Sequence, residues 1–252
     1  MTVHFVGAGP GAADLLTVRA ARLIAAAPVV VYAGSLVPAE VLADCRADAR
    51  LVDSRNLDLD AIVAELVGAH EAGHDVARLH SGDPSLFSAV FEQARRLDAA
   101  GVPWDVVPGV PAYAAAAAAL RQELTVPRVG QTVVLTRIAS RATPMPPGED
   151  LPSLARTGAT LVLHLAVQEP ERLVAELTPA CGGDCPVAVV ARVSWPDEQV
   201  LRCTLAELPG VVAAAGIRRT AVVIVGRVLA GRPEDADGSE SFLYSAERRR
   251  ST

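Results

Sequence analysis

The sequence predicts an α/β protein built as two α/β lobes, and three observations carry that prediction. Short runs rich in Val, Leu and Ile alternate with stretches of helical periodicity almost throughout the chain. Several of those runs end in Gly/Pro-rich loops of the kind that join a strand to a helix. The alternation pauses over an Ala-rich stretch at residues 112–124 and then restarts. At 252 residues the chain can give each lobe its own core.

Taken in order, strands are expected at residues 3–6, 29–32, 51–53, 76–79 and 104–107, with helices near 18–26, 59–72 and 86–100. The helix from residue 59 carries Ile62, Val63, Leu66 and Val67 at helical spacing, with Asp58 or Asp60 as its N-cap. Gly101 ends the next one. This rhythm implies a mainly parallel sheet covered on both faces. Residues 110–130 form the junction, giving lobes of residues 1–112 and 113–231. The second lobe repeats the rhythm, with strands at 132–137, 159–165, 186–193, 200–203 and 221–228 and helices near 151–156, 170–177 and 205–215. Residues 232–252 lose periodicity and end in a charged run, which reads as a flexible tail.

Composition narrows the function classes. A chain with 51% hydrophobic and 21% charged residues is globular. A net charge of −6 argues against a nucleic-acid partner. The longest apolar stretch, residues 23–37, is broken by Pro28 and Gly34, so no membrane span is expected. No basic leader precedes the first strand, and a cytoplasmic protein is the expectation. The four cysteines, Cys45, Cys181, Cys185 and Cys203, are too sparse for a disulfide framework and read as reduced structural thiols. No metal is expected. His70-Glu71-Ala72-Gly73-His74 matches a zinc-protease signature, but Gly73 should end the helix before His74 can share a face with His70.

Three loops carry the chemistry. Gly7-Ala8-Gly9-Pro10-Gly11-Ala12 follows the first strand and fits a dinucleotide-binding pattern. Pro10 removes an N–H that a pyrophosphate would want, and Tyr32-Ala33-Gly34-Ser35 after strand two has no acidic residue for a ribose. Both features argue against a nicotinamide oxidoreductase. Ser81-Gly82-Asp83-Pro84 ends strand four, and Pro108-Gly109-Val110-Pro111-Ala112 ends strand five. Each alone is turn chemistry; at one edge of one parallel sheet, all three imply a small-molecule site rather than a silent binding module.

These motifs, VGAGPGAADLLTVRAARLI, RLHSGDPSLF and VPGVPA in that order, resemble the tetrapyrrole methylases over residues 1–230. ELTVP, QTVVLTR and SWPDE (residues 123–127, 131–137 and 194–198) are similar to the precorrin-4 C(11)-methyltransferase subgroup of cobalamin synthesis. The resemblance implies the tetrapyrrole methylase fold, a homodimer, and S-adenosylmethionine in a cofactor cleft between the lobes. By position, the cofactor would meet Pro10, Ser81, Gly82, Asp83, Leu86, Pro111, Ala112, Leu165, Ala166, Thr220 and Ala221. Pro111 stands where relatives often have Ser or Thr, and Leu165 where some have Met. The substrate implied is precorrin-4, methylated on a ring carbon; a different precorrin carbon and a ribosomal-RNA substrate are the rivals within the superfamily. Arg137, at the end of a strand, and Arg141, within the Pro-rich loop that follows, would hold its peripheral carboxylates bidentately. Asp83 is the one ionisable catalytic candidate, and His164, inside an apolar strand, reads as a core residue.

Overall fold

The computed structural model describes residues 1–139 and 143–230. The chain divides into two compact units, one of Met1–Ala115 with Arg192–Asp197, the other of Ala116–Ala191 with the described part of Glu198–Thr252. Arg141 and the tail at 232–252 lie outside the described residues.

The sheet of the first unit is parallel throughout, with order β3-β2-β4-β1-β5. Its strands are β1 (Val3–Gly7), β2 (Val29–Tyr32), β3 (Arg50–Asp53), β4 (Val76–His80) and β5 (Trp104–Val107). Strand side chains alternate between two cores. Val6, Ala8, Val30 and Leu79 pack with Ala20 and Ile24, whereas Val3, Phe5, Val31 and Val76 pack with Leu66, Ala94 and Leu97. Each such Leu or Ile contributes about 1.5–3 kcal/mol on burial. The covering helices are α1 (Val18–Ala26), α2 (Ala39–Leu42), α3 (Leu59–Glu71) and α4 (Val90–Ala99). Asp58 caps α3, its Oδ1 accepting from the Ala61 N–H at 2.8 Å. The strand order sets the C-terminal ends of β4, β1 and β5 side by side, which brings the three Gly/Pro loops to one edge.

The helix α5 (Ala112–Leu120) spans the boundary of the division. The second sheet has the order β6-β7-β10-β8-β9. Its strands are β6 (Val133–Arg137), β7 (Thr160–His164), β8 (Pro186–Ala191), β9 (Gln199–Thr204) and β10 (Ala221–Val225). Here the repeated parallel rhythm needs correcting, because only β6 and β7 pair in parallel and the other three pairings are antiparallel. No helix intervenes between β8 and β9, and strands joined without a crossover pair antiparallel. Leu161, Leu163, Val187, Val189 and Val223 pack beneath α6 (Leu151–Ala155), α7 (Pro170–Cys181) and α8 (Leu208–Ala214) to form the core.

Several boundaries moved for local reasons. The helix expected from residue 86 begins at Val90, because Phe87 (φ 53°) and Ala89 (φ 50°) take left-handed backbone. The Ala-rich helix stops at Leu120, where Arg121 is left-handed at φ 53°, rather than at 124. The helix expected from 205 begins at Leu208, because the Glu207 carboxylate accepts from both the N–H and the hydroxyl of Thr204 and holds a turn there.

Candidate functional site

Backbone bonds weld the first two loops together. Gly82 donates to the Gly9 carbonyl at 2.7 Å, Gly9 donates to that of Gly82 at 3.3 Å, and Ala8 donates to that of His80 at 2.8 Å. The third loop closes on them through glycines. A Cβ on Gly7 would stand 2.5 Å from the Gly109 nitrogen, and one on Gly109 would overlap the Gly82 carbonyl oxygen. Gly82, at φ 69°, would place a Cβ in van der Waals contact with Ala112 N and Pro111 Cα, at 3.5 and 3.6 Å. The structure therefore brings together Pro10, Ser81, Gly82, Asp83, Pro111 and Ala112, with Leu86 in the turn that follows.

Asp83 holds the arrangement in place. One carboxylate oxygen accepts from Ser85 N–H at 2.8 Å and from the Ser85 hydroxyl, and the other accepts from Gly109 N–H at 2.8 Å. Partial burial works to raise its pKa, but these hydrogen bonds win and hold the carboxyl below its usual range. At neutral pH it is an anion with both oxygens engaged, which suits it to holding loops and not to proton transfer.

The first loop also has a partner that sequence reasoning missed. Residues Arg192–Asp197 belong to the first unit. Ser194 Oγ accepts from Ala12 N–H at 2.9 Å, and Trp195 Nε1 donates to the Pro10 carbonyl at 3.0 Å. Of the four N–H groups in residues 8–12, those of Ala8, Gly9 and Ala12 are thus bonded within the protein, and Pro10 has none. A pyrophosphate cradle needs those donors free. The dinucleotide alternative weakens further at β2. Asp53 does reach Gly34, yet its carboxylate already accepts from Gly34 N–H at 3.0 Å, Arg55 N–H at 3.0 Å and Arg55 Nε at 2.7 Å.

Below the Gly-Asp-Pro loop, β4 buries Arg78 and His80 on one face. Arg78 Nε donates to Gln93 Oε1 at 3.1 Å and its NH1 to Ser54 Oγ at 3.0 Å. Gln93 in turn donates to the Ala89 carbonyl at 2.9 Å, and Ser54 to that of Tyr32 at 3.0 Å. Burial without a carboxylate partner among the described residues lowers the Arg78 pKa to about 10, which leaves it charged.

The second unit carries its own cluster at one sheet edge. The antiparallel register of β7 and β10, with Val223 opposite Leu163, carries Thr220 and Ala221 beside Leu165 and Ala166. Leu165 (φ 54°) and Thr220 (φ 54°) are both left-handed, a costly backbone state that concentrates at functional sites. Leu165 is 64% exposed, whereas Ala166 is buried. Arg137 ends β6 at the same edge, opposite His164. Its guanidinium donates to the Thr143 carbonyl at 2.9 Å and the Ile138 carbonyl at 3.4 Å, pinning the Pro-rich loop to its strand. Burial lowers the pKa of His164 and keeps it neutral. A nearby cavity of ≈ 360 Å³ is lined by Arg137 and Arg172 but also by Glu149, Asp150 and Glu176. Those carboxylates repel a polycarboxylate ligand, and Arg172 is already bonded to Glu169, Glu176 and the Ala139 carbonyl.

The histidines of the zinc-like motif part company. His70 lies in α3 and contacts the Met1 carbonyl at 2.5 Å; Gly73 is left-handed at φ 79°, and His74 falls past the helix end. Among the described residues no group of three or more His, Cys, Asp or Glu could hold a metal, and no helix is long and apolar enough to cross a membrane.

Residues 2–209 match the family of tetrapyrrole (corrin/porphyrin) methylases. The chain is 61% identical over 253 residues, the full length of both proteins, to a precorrin-4 C(11)-methyltransferase of Rhodococcus erythropolis. A cobalt-precorrin-4 methyltransferase of cobalamin biosynthesis superposes with TM-score 0.87 at 37% identity, covering 90% of this chain and 95% of that one. Uroporphyrin-III C-methyltransferase of Thermus thermophilus, solved with S-adenosylhomocysteine, superposes with TM-score 0.74 at 30% identity, covering 91% and 93%. Loops, fold and full-length relatives agree: the chain belongs to the tetrapyrrole methylases.

Proposed function

We propose that the chain is an S-adenosylmethionine-dependent methyltransferase that methylates C-11 of precorrin-4, giving precorrin-5 in cobalamin biosynthesis. The observation that carries this is the first loop, where Pro10 has no N–H and those of Ala8, Gly9 and Ala12 are bonded to His80, Gly82 and Ser194. Such a loop suits a cofactor without phosphate. Full-length identity of 61% to a protein named for precorrin-4 supports the substrate, and supports the metal-free form over the cobalt form named for the 37% identical structure.

S-adenosylmethionine, when bound, supplies an electrophilic methyl group on a sulfonium. The residues proposed to hold it are Pro10, Ser81, Gly82, Asp83, Leu86, Pro111 and Ala112 in the first unit, and Leu165, Ala166, Thr220 and Ala221 in the second. Asp83 acts by fixing the loops, because both its oxygens are engaged. Exposed Leu165 offers an apolar surface, and its left-handed backbone aims it. Alignment of donor and acceptor should supply much of the acceleration. Arg137 and Arg141 are the residues proposed to meet the substrate's carboxylates, Arg137 at the sheet edge that carries Leu165 and not in the carboxylate-lined cavity. The family resemblance supports a homodimer.

Incubation with methyl-labelled S-adenosylmethionine and precorrin-4 should yield a product one methyl heavier, with the label at C-11 by NMR. Label at another ring carbon, or none, overturns the assignment. Arg137→Ala should lower kcat/KM about ten- to a hundredfold, with Arg137→Lys recovering part. Cofactor affinity should hold; if it falls equally, Arg137 serves the loop and not the substrate.

A further inference from the structure

We propose that Ser194 and Trp195 are positioning residues for the methyl donor, locking residues 9–12 in the conformation that receives it. The proposal rests on the reading that this loop meets S-adenosylmethionine. Gly11 shows the fit. Its φ lies outside the left-handed region, so conformation does not demand glycine there. The neighbour does. A Cβ at residue 11 would overlap Trp195 Cδ1 and stand 2.6 Å from Nε1 and 2.9 Å from Ser194 Oγ. Close packing of an indole on bare backbone leaves the loop one way to lie.

The strap is itself braced. Trp195 N–H donates to the Arg192 carbonyl at 2.9 Å. The Arg192 guanidinium sits 4.0 Å above the indole and its Nε donates to Asp197 Oδ1 at 2.6 Å. Arg192 (φ 48°) and Ser194 (φ 63°) are both left-handed, and such backbone persists only where the surroundings over-determine it. A simple turn would not need this. Gly9 is already paired to Gly82 on the loop's other side, which is sufficient to close it. What the strap adds is a fixed direction for the Pro10 carbonyl and the Ala12 N–H. A loop held before the ligand arrives binds without an ordering cost.

The test uses calorimetry of the full chain with S-adenosylhomocysteine, alongside thermal melts. Trp195→Phe keeps an aromatic ring but loses the indole N–H donor, and Ser194→Ala loses the acceptor; each should weaken binding about three- to tenfold. Each Tm should stay within about 2 °C of wild type. KM for S-adenosylmethionine should rise in step while kcat at saturation moves less than about twofold. A double-mutant cycle isolates the contact. Gly11→Ala should cost more than about tenfold in affinity with Trp195 present, and less than about twofold with Trp195→Ala. Equal Gly11→Ala losses in both backgrounds, or affinity unchanged in Trp195→Phe and Ser194→Ala, overturns the positioning role. No binding by the wild-type protein overturns the cofactor reading instead.

Discussion

Asp83 and His80 stand three residues apart and meet opposite electrostatic fates. Asp83 is half-buried among donors and stays charged, while His80 is buried, with no hydrogen-bond partner for Nε2 among the described residues. Burial first, then the Arg78 charge, pushes the His80 pKa from its ordinary 6.5 to about 3. The unfolded chain takes up a proton near 6.5 that the folded protein refuses until about 3. Stability is therefore lost as pH falls through that window. His80→Phe should flatten the loss by up to about 1.4 kcal/mol per pH unit. Urea unfolding midpoints at several pH values below neutrality would show it, and parallel curves for both proteins would exonerate His80.

Among the elements, the ends of β4, β1 and β5 matter most, because Gly7, Gly82 and Gly109 let their backbones touch. At Gly109 the three nearest neighbours of a Cβ are backbone atoms of Gly82 and Gly7, which cannot swing aside as a side chain would. Gly109→Ala should cost about 1–3 kcal/mol and remove measurable S-adenosylhomocysteine binding. Gly210, inside α8 with nothing within 4 Å of its Cβ position, is the contrast. Gly210→Ala should stabilise by about 0.5–1 kcal/mol and leave binding unchanged. Denaturant titrations and calorimetry on the pair separate crowding from helix propensity. Beneath the same loops, the guanidinium of Arg78 ties β4 to Ser54 and, through Gln93, to the left-handed Ala89 that starts α4.

For the whole molecule, binding couples to stability by mass action. S-adenosylhomocysteine at a hundred times its Kd should stabilise the folded chain by about 2.7 kcal/mol. For a chain of this size the Tm then rises by about 5–10 °C. NAD at the same concentration should leave Tm where it was, because three of the first loop's four donors and the Asp53 carboxylate are already engaged. A rise with NAD and none with S-adenosylhomocysteine would reverse the choice between methyl donor and nicotinamide.

Much of the fold was legible from residue order. Runs such as Val29–Tyr32 and Trp104–Val107 were placed to the residue, since β-branched and aromatic runs between Gly and Pro leave little else to form. The three loops at one sheet edge were legible too, because a parallel sheet puts every strand's C-terminal end on the same side. The short α2 is not legible, since four residues carry no periodicity, and the alternation of elements does not show that three of the four pairings in the second sheet are antiparallel. What the sequence by itself determined is local: which segments become strands, where glycine and proline turn the chain, and that Pro10 spoils a phosphate cradle. Only the tertiary structure decided that Ser194 and Trp195, about 180 residues away along the chain, complete that loop, and that Asp83 binds Gly109. Those contacts depend on strand order and register, which arise from the burial of many side chains together and leave no mark at the spacing of any one motif.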